Sequence, residues 1–235
     1  MSVASNLKII QEKIDQAILS TGGSNQSVTI MAVTKTKPIQ VVQDVVAAGL
    51  LDIGENYVQE VLEKQNHLAD LPIRWHFIGS LQSKKISQLW GRFHLIHTVD
   101  REKVVKKMGA LAQQSQVIQP ILMQVNVGDE ASKSGVSLGE ASDLMGLILE
   151  TPGLEPRGLM TMPPLSEIET EARSYFSTLA KLRDKLSAEY GLSPKNGPQL
   201  SELSMGTSHD YVWAIKEGAT IVRLGTVLVG ARSYP

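Results

Sequence analysis

The chain contains no cysteine. Disulfides, thiolate metal sites and cysteine nucleophiles are therefore excluded. It has no excess of either charge: 23 Lys and Arg stand against 24 Asp and Glu, a formal net charge of −1. No global positive field draws it to nucleic acid or anionic lipid. No stretch reaches the roughly 18 apolar residues of a membrane span. Residues 1–20 read as an amphipathic helix carrying Lys8, Glu12, Lys13 and Asp15, without the apolar core of a secretion signal. A soluble cytoplasmic protein is expected. Linkers, low-complexity segments and strong internal repeats are also missing.

What is present is an ordinary globular composition, 42% hydrophobic and 20% charged over 235 residues. A chain of this length buries roughly 70% of its unfolded surface and needs no covalent staples. Apolar runs alternate with helical patterns from end to end. Residues 28–34, 50–55, 74–79, 93–99, 120–126, 154–160, 200–205 and 220–225 read as strands. Helices are expected from Ile39, with Pro38 in the first turn, from Tyr57, through Trp90, from an Asp100 cap to Ser115, and from Ser166 to Tyr190, where Gly191 ends the last. Eight strand–helix units predict a single-domain α/β fold over residues 1–235, a closed (β/α)8 TIM barrel. A doubly wound open sheet is the alternative. It usually shows a glycine-rich phosphate turn after the first strand, and here that strand ends in Thr-Lys-Thr-Lys-Pro. The loops 128–137 and 191–199 are the connections expected to be most mobile.

Chemistry-bearing residues recur at the strand ends, where barrel active sites lie. Strand alternation places Met31, Val33 and Lys35 on one face. If that face is the interior, Lys35 projects into the barrel mouth, where desolvation and nearby Lys37 favour the neutral amine that Schiff-base formation needs. The alternative is an ordinary lysine snorkelling from a strand end. Ser204, Gly206 and Ser208 follow the seventh strand, with Ser208 expected to cap the next helix. Gly225 and Thr226 close the eighth. The loops after strands seven and eight form the usual phosphate site of a barrel, although a capping serine and a plain tight turn explain either segment alone. Arg223 shares a face with Ile221. Inside a barrel its guanidinium requires an acceptor: a ligand ring nitrogen, or an ion pair with Glu202 or Glu55. A guanidinium cannot readily protonate a ring nitrogen, so a pyridine held this way is a weaker electron sink. His94 and His97, three apart on a strand, point to opposite faces, and no carboxylate completes a zinc set. No metal site is expected.

Ordered motifs extend this reading. They are 32–38 (Ala-Val-Thr-Lys-Thr-Lys-Pro), 54–60 (Gly-Glu-Asn-Tyr-Val-Gln-Glu), 75–82 (Trp-His-Phe-Ile-Gly-Ser-Leu-Gln) and 132–135 (Ser-Lys-Ser-Gly). They continue with 157–160 (Arg-Gly-Leu-Met), 204–208 (Ser-Met-Gly-Thr-Ser), 222–226 (Val-Arg-Leu-Gly-Thr) and 230–232 (Gly-Ala-Arg). With them the chain resembles the pyridoxal phosphate homeostasis proteins over nearly its whole length. The resemblance implies the barrel of fold-type III enzymes that use pyridoxal 5′-phosphate (PLP), as in the N-terminal domain of alanine racemase. It implies PLP as cofactor, held as a Schiff base on Lys35. Ser204, Gly206, Ser208, Gly225 and Thr226 are the implied phosphate cradle and Arg223 the implied partner of the pyridine nitrogen. Asn56, His76 and Met160 are expected to line the ring pocket. Thr207 stands where the family usually has methionine.

The resemblance further implies a monomeric protein that buffers or delivers PLP, with PLP-dependent apoenzymes as recipients, rather than a robust enzyme. The second β domain and partner-subunit tyrosine of racemases are not expected here. Two-base racemisation needs an acid–base group on each face of the substrate. Lys35 serves one face, while His76 and Tyr57 are weak candidates for the other. A weak amino-acid racemase is the alternative, and a Schiff-base aldolase-like barrel without PLP is a third reading. Lys37, Lys84, Lys85 and Lys133 are the lysines considered for a second PLP during transfer.

Overall fold

The computed structural model describes residues 2–22, 26–130, 134–193 and 199–231. Among them the strands are β1 (Thr29–Val33), β2 (Asp52–Glu55), β3 (Arg74–Phe77), β4 (Leu95–Val99), β5 (Gln119–Asn126), β6 (Val136–Ser137), β7 (Leu154–Thr161), β8 (Glu202–Thr207) and β9 (Ile221–Leu224). The helices are α1 (Val3–Ser20), α2 (Ile39–Ala47), α3 (Val58–His67), α4 (Ile86–Leu89), α5 (Glu102–Ser115), α6 (Ala141–Glu150), α7 (Glu169–Glu189), α8 (Tyr211–Lys216) and α9 (Thr226–Val229). Every strand pair is parallel. The order β4-β3-β2-β1-β9-β8-β7-β5 closes where β4 pairs with β5, and β6 adds a two-residue strand outside the circle on β5. The expected (β/α)8 barrel is the observed fold.

Period-two alternation builds the wall. Met31, Leu95, Leu122, Met160 and Ile221 pack together as an apolar cluster inside the barrel. The outward faces of the strands, among them Ala32, Ile53, Phe77 and Ile96, join the larger core under the helices. Helix α1 supplies Ile10, Ile14 and Ala17, one stripe at helical spacing, to that outer core. Each large side chain buried there contributes about 1.5–3 kcal/mol. Its start is set by the Ser2 hydroxyl, which accepts the Ser5 N–H at 3.2 Å. Strands β1 and β9 meet over four residue pairs, from Thr29 opposite Ile221 to Ala32 opposite Leu224.

Three sequence expectations need correction. Asp100 does not cap α5; Arg101 holds that position, and the Asp100 carboxylate is taken by the Arg101 guanidinium. Pro38 sits one residue before α2, at its cap, rather than in the first turn. The seventh barrel strand runs to Thr207, two residues beyond expectation. The register against β9 shifts between Ser204–Ile221 and Thr207–Arg223, so β8 spends three residues where β9 spends two. Gly206 absorbs the shift at φ +89°, and a Cβ there would lie 2.6 Å from the Ala214 side chain. This glycine seats α8 against the strand. Residues 131–133 and 194–198, which include Lys133 and parts of both loops expected to be mobile, lie outside the described residues.

Candidate functional site

The strand order brings the end of β1 beside the ends of β2 and β9, and Lys35 sits there, half-buried. It follows Met31 on the interior face of its strand. It lines a cavity of about 160 Å³ together with Asn56, Ile78, Ser80, Thr98, Gln124, Ser134, Met160, Met162 and Arg223. It also lines an adjoining cleft with Lys37, Gly225, Thr226 and Gly230. Lys35 therefore stands where a ring-sized pocket meets a narrower cleft.

The turn that carries Lys35 is heavily anchored. Lys64, on α3 and only 3% exposed, donates to the Thr34 carbonyl at 2.8 Å, to Glu55 Oε1 at 2.7 Å and to Glu60 Oε1 at 2.6 Å. The Thr34 hydroxyl donates to the same Glu55 oxygen at 2.6 Å. Glu60 Oε1 also receives the Thr36 N–H at 2.7 Å. Thr36 itself adopts φ +62°, the left-handed region that a β-branched residue rarely enters. Burial pushes the Glu55 carboxyl up, against the pull of the Lys64 ammonium and its hydrogen bond.

Asn56 follows β2 directly. Its Oδ1 is buried without a hydrogen-bond partner among the described residues. Its backbone is clamped by Gly79: a Cβ there would fall 2.0 Å from the Asn56 carbonyl oxygen, and the Gly79 carbonyl accepts from the Thr98 hydroxyl at 2.7 Å. On the opposite wall, Gln124 donates to the Ser134 carbonyl at 3.0 Å.

Arg223 closes the floor. Its Nη1 donates to the Ser204 carbonyl at 2.7 Å and to the Ser204 hydroxyl at 2.9 Å, and Nη2 to the Thr161 carbonyl at 2.8 Å. Among the described residues no carboxylate pairs with it, so neither Glu202 nor Glu55 is its partner. Burial pushes the guanidinium down to about 10, which still leaves it cationic at neutral pH.

The structure brings Lys35, Asn56, Met160, Arg223, Gly225 and Thr226 to one mouth of the barrel. Ser208 belongs to the same corner, with a role different from the one expected. Asp210 precedes α8 as its cap, and the Ser208 hydroxyl instead accepts the N–H groups of Gly225 and Val227 at 3.3 and 3.4 Å. Ser204 lies under Arg223, fully buried, and Gly206 faces α8. His76 is not in the pocket lining. Its ring lies deeper, bonded to Asp52 Oδ1 and His97 Nε2 at 3.0 Å each. Of the additional lysines, Lys37 donates to the Ala231 carbonyl, whereas Lys84 is exposed and Lys85 precedes α4. Ile78, Ser80, Thr98, Gln124, Ser134 and Met162 are lining residues that sequence reasoning missed. For all but Ser134 the signal was available: the others lie on a strand or within three residues of its end, whereas Ser134 precedes β6.

These residues suit a phosphorylated aromatic aldehyde. A lysine amine stands at the junction, the Asn56 side chain that borders the pocket keeps a buried amide oxygen without a partner among the described residues, a cationic donor forms the floor, and Gly225, whose N–H makes a long bond to Ser208, lines the cleft.

Comparison with known proteins agrees. Residues 4–233 match the family model "Alanine racemase, N-terminal domain". The chain is 40% identical over 234 residues to a pyridoxal phosphate homeostasis protein of Aquifex aeolicus, covering 100% of both. It is 37% identical over 238 residues to the protein of that name in Escherichia coli K12, covering 99% of this chain and 97% of the relative. The structure of PipY from Synechococcus elongatus with PLP bound is 31% identical, with TM-score 0.79, over 92% of this chain and 100% of that one. Alanine racemase of Clostridium difficile shares the fold, at 14% identity and TM-score 0.73, over 98% of this chain and 60% of that one. On these matches and on the barrel they share, the chain belongs to the alanine racemase N-terminal domain family and, within it, to the pyridoxal phosphate homeostasis proteins.

Proposed function

We propose that this protein binds PLP at the C-terminal mouth of its barrel and serves in PLP homeostasis, holding the cofactor through Lys35 and releasing it to PLP-dependent apoenzymes. The observation that carries the reading is the position of Lys35, shared by the pocket above Arg223 and the cleft at Gly225 and Thr226. When bound, PLP supplies an electrophilic aldehyde and an electron-withdrawing ring.

The chain's own residues divide the work. Lys35 would supply the amine that condenses with the aldehyde carbon, whose oxygen leaves as water. Gly225, Thr226 and Ser208 receive the phosphate, since backbone N–H groups and a hydroxyl suit an anion. Arg223 offers N–H to the ring nitrogen and, being cationic, holds that nitrogen unprotonated. Asn56 and Met160 border the ring, and the apolar cluster beneath Met160 keeps water from the floor.

A carrier fits this lining better than an enzyme. Apart from Lys35, the described pocket residues supply no carboxylate, histidine or tyrosine as a second acid–base group. Tyr57 is 53% exposed, and His76 is engaged below the floor. The deciding experiment compares absorption spectra of wild type and Lys35→Ala after incubation with PLP, followed by borohydride reduction and peptide mapping. A yellow wild type labelled on Lys35, with a colourless variant, is expected. A wild type that stays colourless would remove the reading. Loss of alpha-deuterium from amino acids at enzyme-like rates in single turnover would favour the racemase alternative.

A further inference from the structure

Beneath Arg223 a file of buried polar side chains crosses the barrel interior. The Ser204 hydroxyl, which receives Arg223 Nη1, lies 2.9 Å from His97 Nδ1. His97 Nε2 lies 3.0 Å from His76 Nδ1, and His76 Nε2 lies 3.0 Å from Asp52 Oδ1. Arg74 closes the file, donating Nε to Asp52 Oδ1 at 2.8 Å. Ser204 and His97 are completely buried. Asp52, Arg74, His76 and His94 open onto a separate cavity at the other mouth, which Glu202 and Thr220 also line. The file joins one mouth to the other.

Its chemistry allows one arrangement of protons when both rings are neutral. A guanidinium only donates, so the Ser204 oxygen accepts from Arg223. That leaves the single hydroxyl proton to be donated to His97 Nδ1. His97 then carries its proton on Nε2 and donates to His76 Nδ1. His76 likewise carries its proton on Nε2 and donates to Asp52. Burial, reinforced by the neighbouring His76 and Arg223, holds His97 well below its ordinary value and therefore neutral. The opposite order would set the bare His76 Nε2 against the Asp52 carboxylate, which is repulsive. From Arg223 to Asp52 the bonds thus point one way, from a cation to an anion, and such chains reinforce one another.

We propose that His97 is a positioning residue for the cofactor site: as an acceptor at Nδ1 it orients the Ser204 hydroxyl, which in turn fixes the Arg223 guanidinium beneath the ring pocket. The benefit to PLP rests on the reading that Arg223 meets the cofactor, whereas the proton arrangement does not. Two measurements separate them. In apo-protein labelled with ¹⁵N, long-range proton–nitrogen spectra report the tautomer of each histidine, assigned with single His→Gln variants. At a pH where both rings are neutral, protons on Nε2 of both His76 and His97 are expected, and a proton on Nδ1 of His97 there would overturn the proposal whether or not PLP binds. PLP titration then tests the consequence. Ser204→Ala and His97→Gln, which lacks an acceptor at the Nδ1 position, should each weaken binding about tenfold. His97→Asn, whose amide oxygen can occupy that position, should return affinity to within about threefold of wild type. Equal affinity in all three folded variants would overturn the positioning role. A wild type that binds no PLP would instead remove the proposed function.

Discussion

The Lys64 ammonium lies 2.8 Å from the carbonyl oxygen of Thr34, the residue immediately before Lys35. A buried cation on one helix thus pins the turn that presents the lysine of the pocket.

Replacing Lys64 with methionine keeps the bulk and removes the cation. Breaking one side of a buried pair costs about 3–5 kcal/mol, because Glu55 is left without its partner. Urea unfolding should show that loss. In the fraction still folded, Lys35 should react more slowly with PLP. Unchanged stability would mean that the buried pair contributes nothing.

Thr36 tests the same turn from its strained side. Its φ of +62° disfavours a β-branched side chain, whereas asparagine tolerates that region. Thr36→Asn should therefore stabilise the protein by about 1 kcal/mol. The comparison of urea midpoints decides it, and a less stable variant would show that the threonine side chain has a favourable role here.

Ser208 should separate stability from binding. Its two bonds to Gly225 and Val227 are long, so Ser208→Ala should lower stability by about 1 kcal/mol or less. If the hydroxyl faces a phosphate, PLP affinity should fall about tenfold, while affinity for unphosphorylated pyridoxal stays the same. An equal fall for both ligands would argue against a phosphate contact.

Asp52 sets an acid limb. Burial alone would raise its carboxyl, but hydrogen bonds from Arg74 and His76 hold it well below the usual carboxylate range. A carboxyl depressed in the folded state adds stability that is present above its unfolded value of about 4. That stability disappears as pH falls through the folded value. Asp52→Asn should be less stable by about 2 kcal/mol near neutrality, mostly through the buried His76 bond, since exposed Arg74 is screened by solvent. Its stability should then decline less steeply in acid. Parallel curves for wild type and variant would rule out this role.

The site was legible where it depends on strand alternation. Met31 being interior puts Lys35 at the mouth, and Ile221 being interior does the same for Arg223. The illegible parts are lateral. His76 and His97 lie on neighbouring strands, and Ser204 comes from across the interior, 107 residues from its histidine partner. The spacing of His94 and His97 along one strand carries no trace of that partnership. Lys64 reads as one more charge on a polar helix, although the acidic residue four positions earlier and Glu55 form the pocket that buries it. Ser208 precedes α8 in the chain yet serves the backbone of α9, because barrel closure sets the two loops side by side.

The meeting of β1 with β9 has a consequence for biosynthesis. Thr29 pairs with Ile221, so this junction joins segments far apart in the sequence, and pairings of such long range form slowly. Lys35 emerges from one side of the junction and Arg223 from the other. A chain that has not yet added β9 carries the lysine without Arg223, Gly225 and Thr226, so the floor of the pocket and one wall of the cleft are missing. A product truncated before residue 221 would therefore carry Lys35 beside an unfinished pocket.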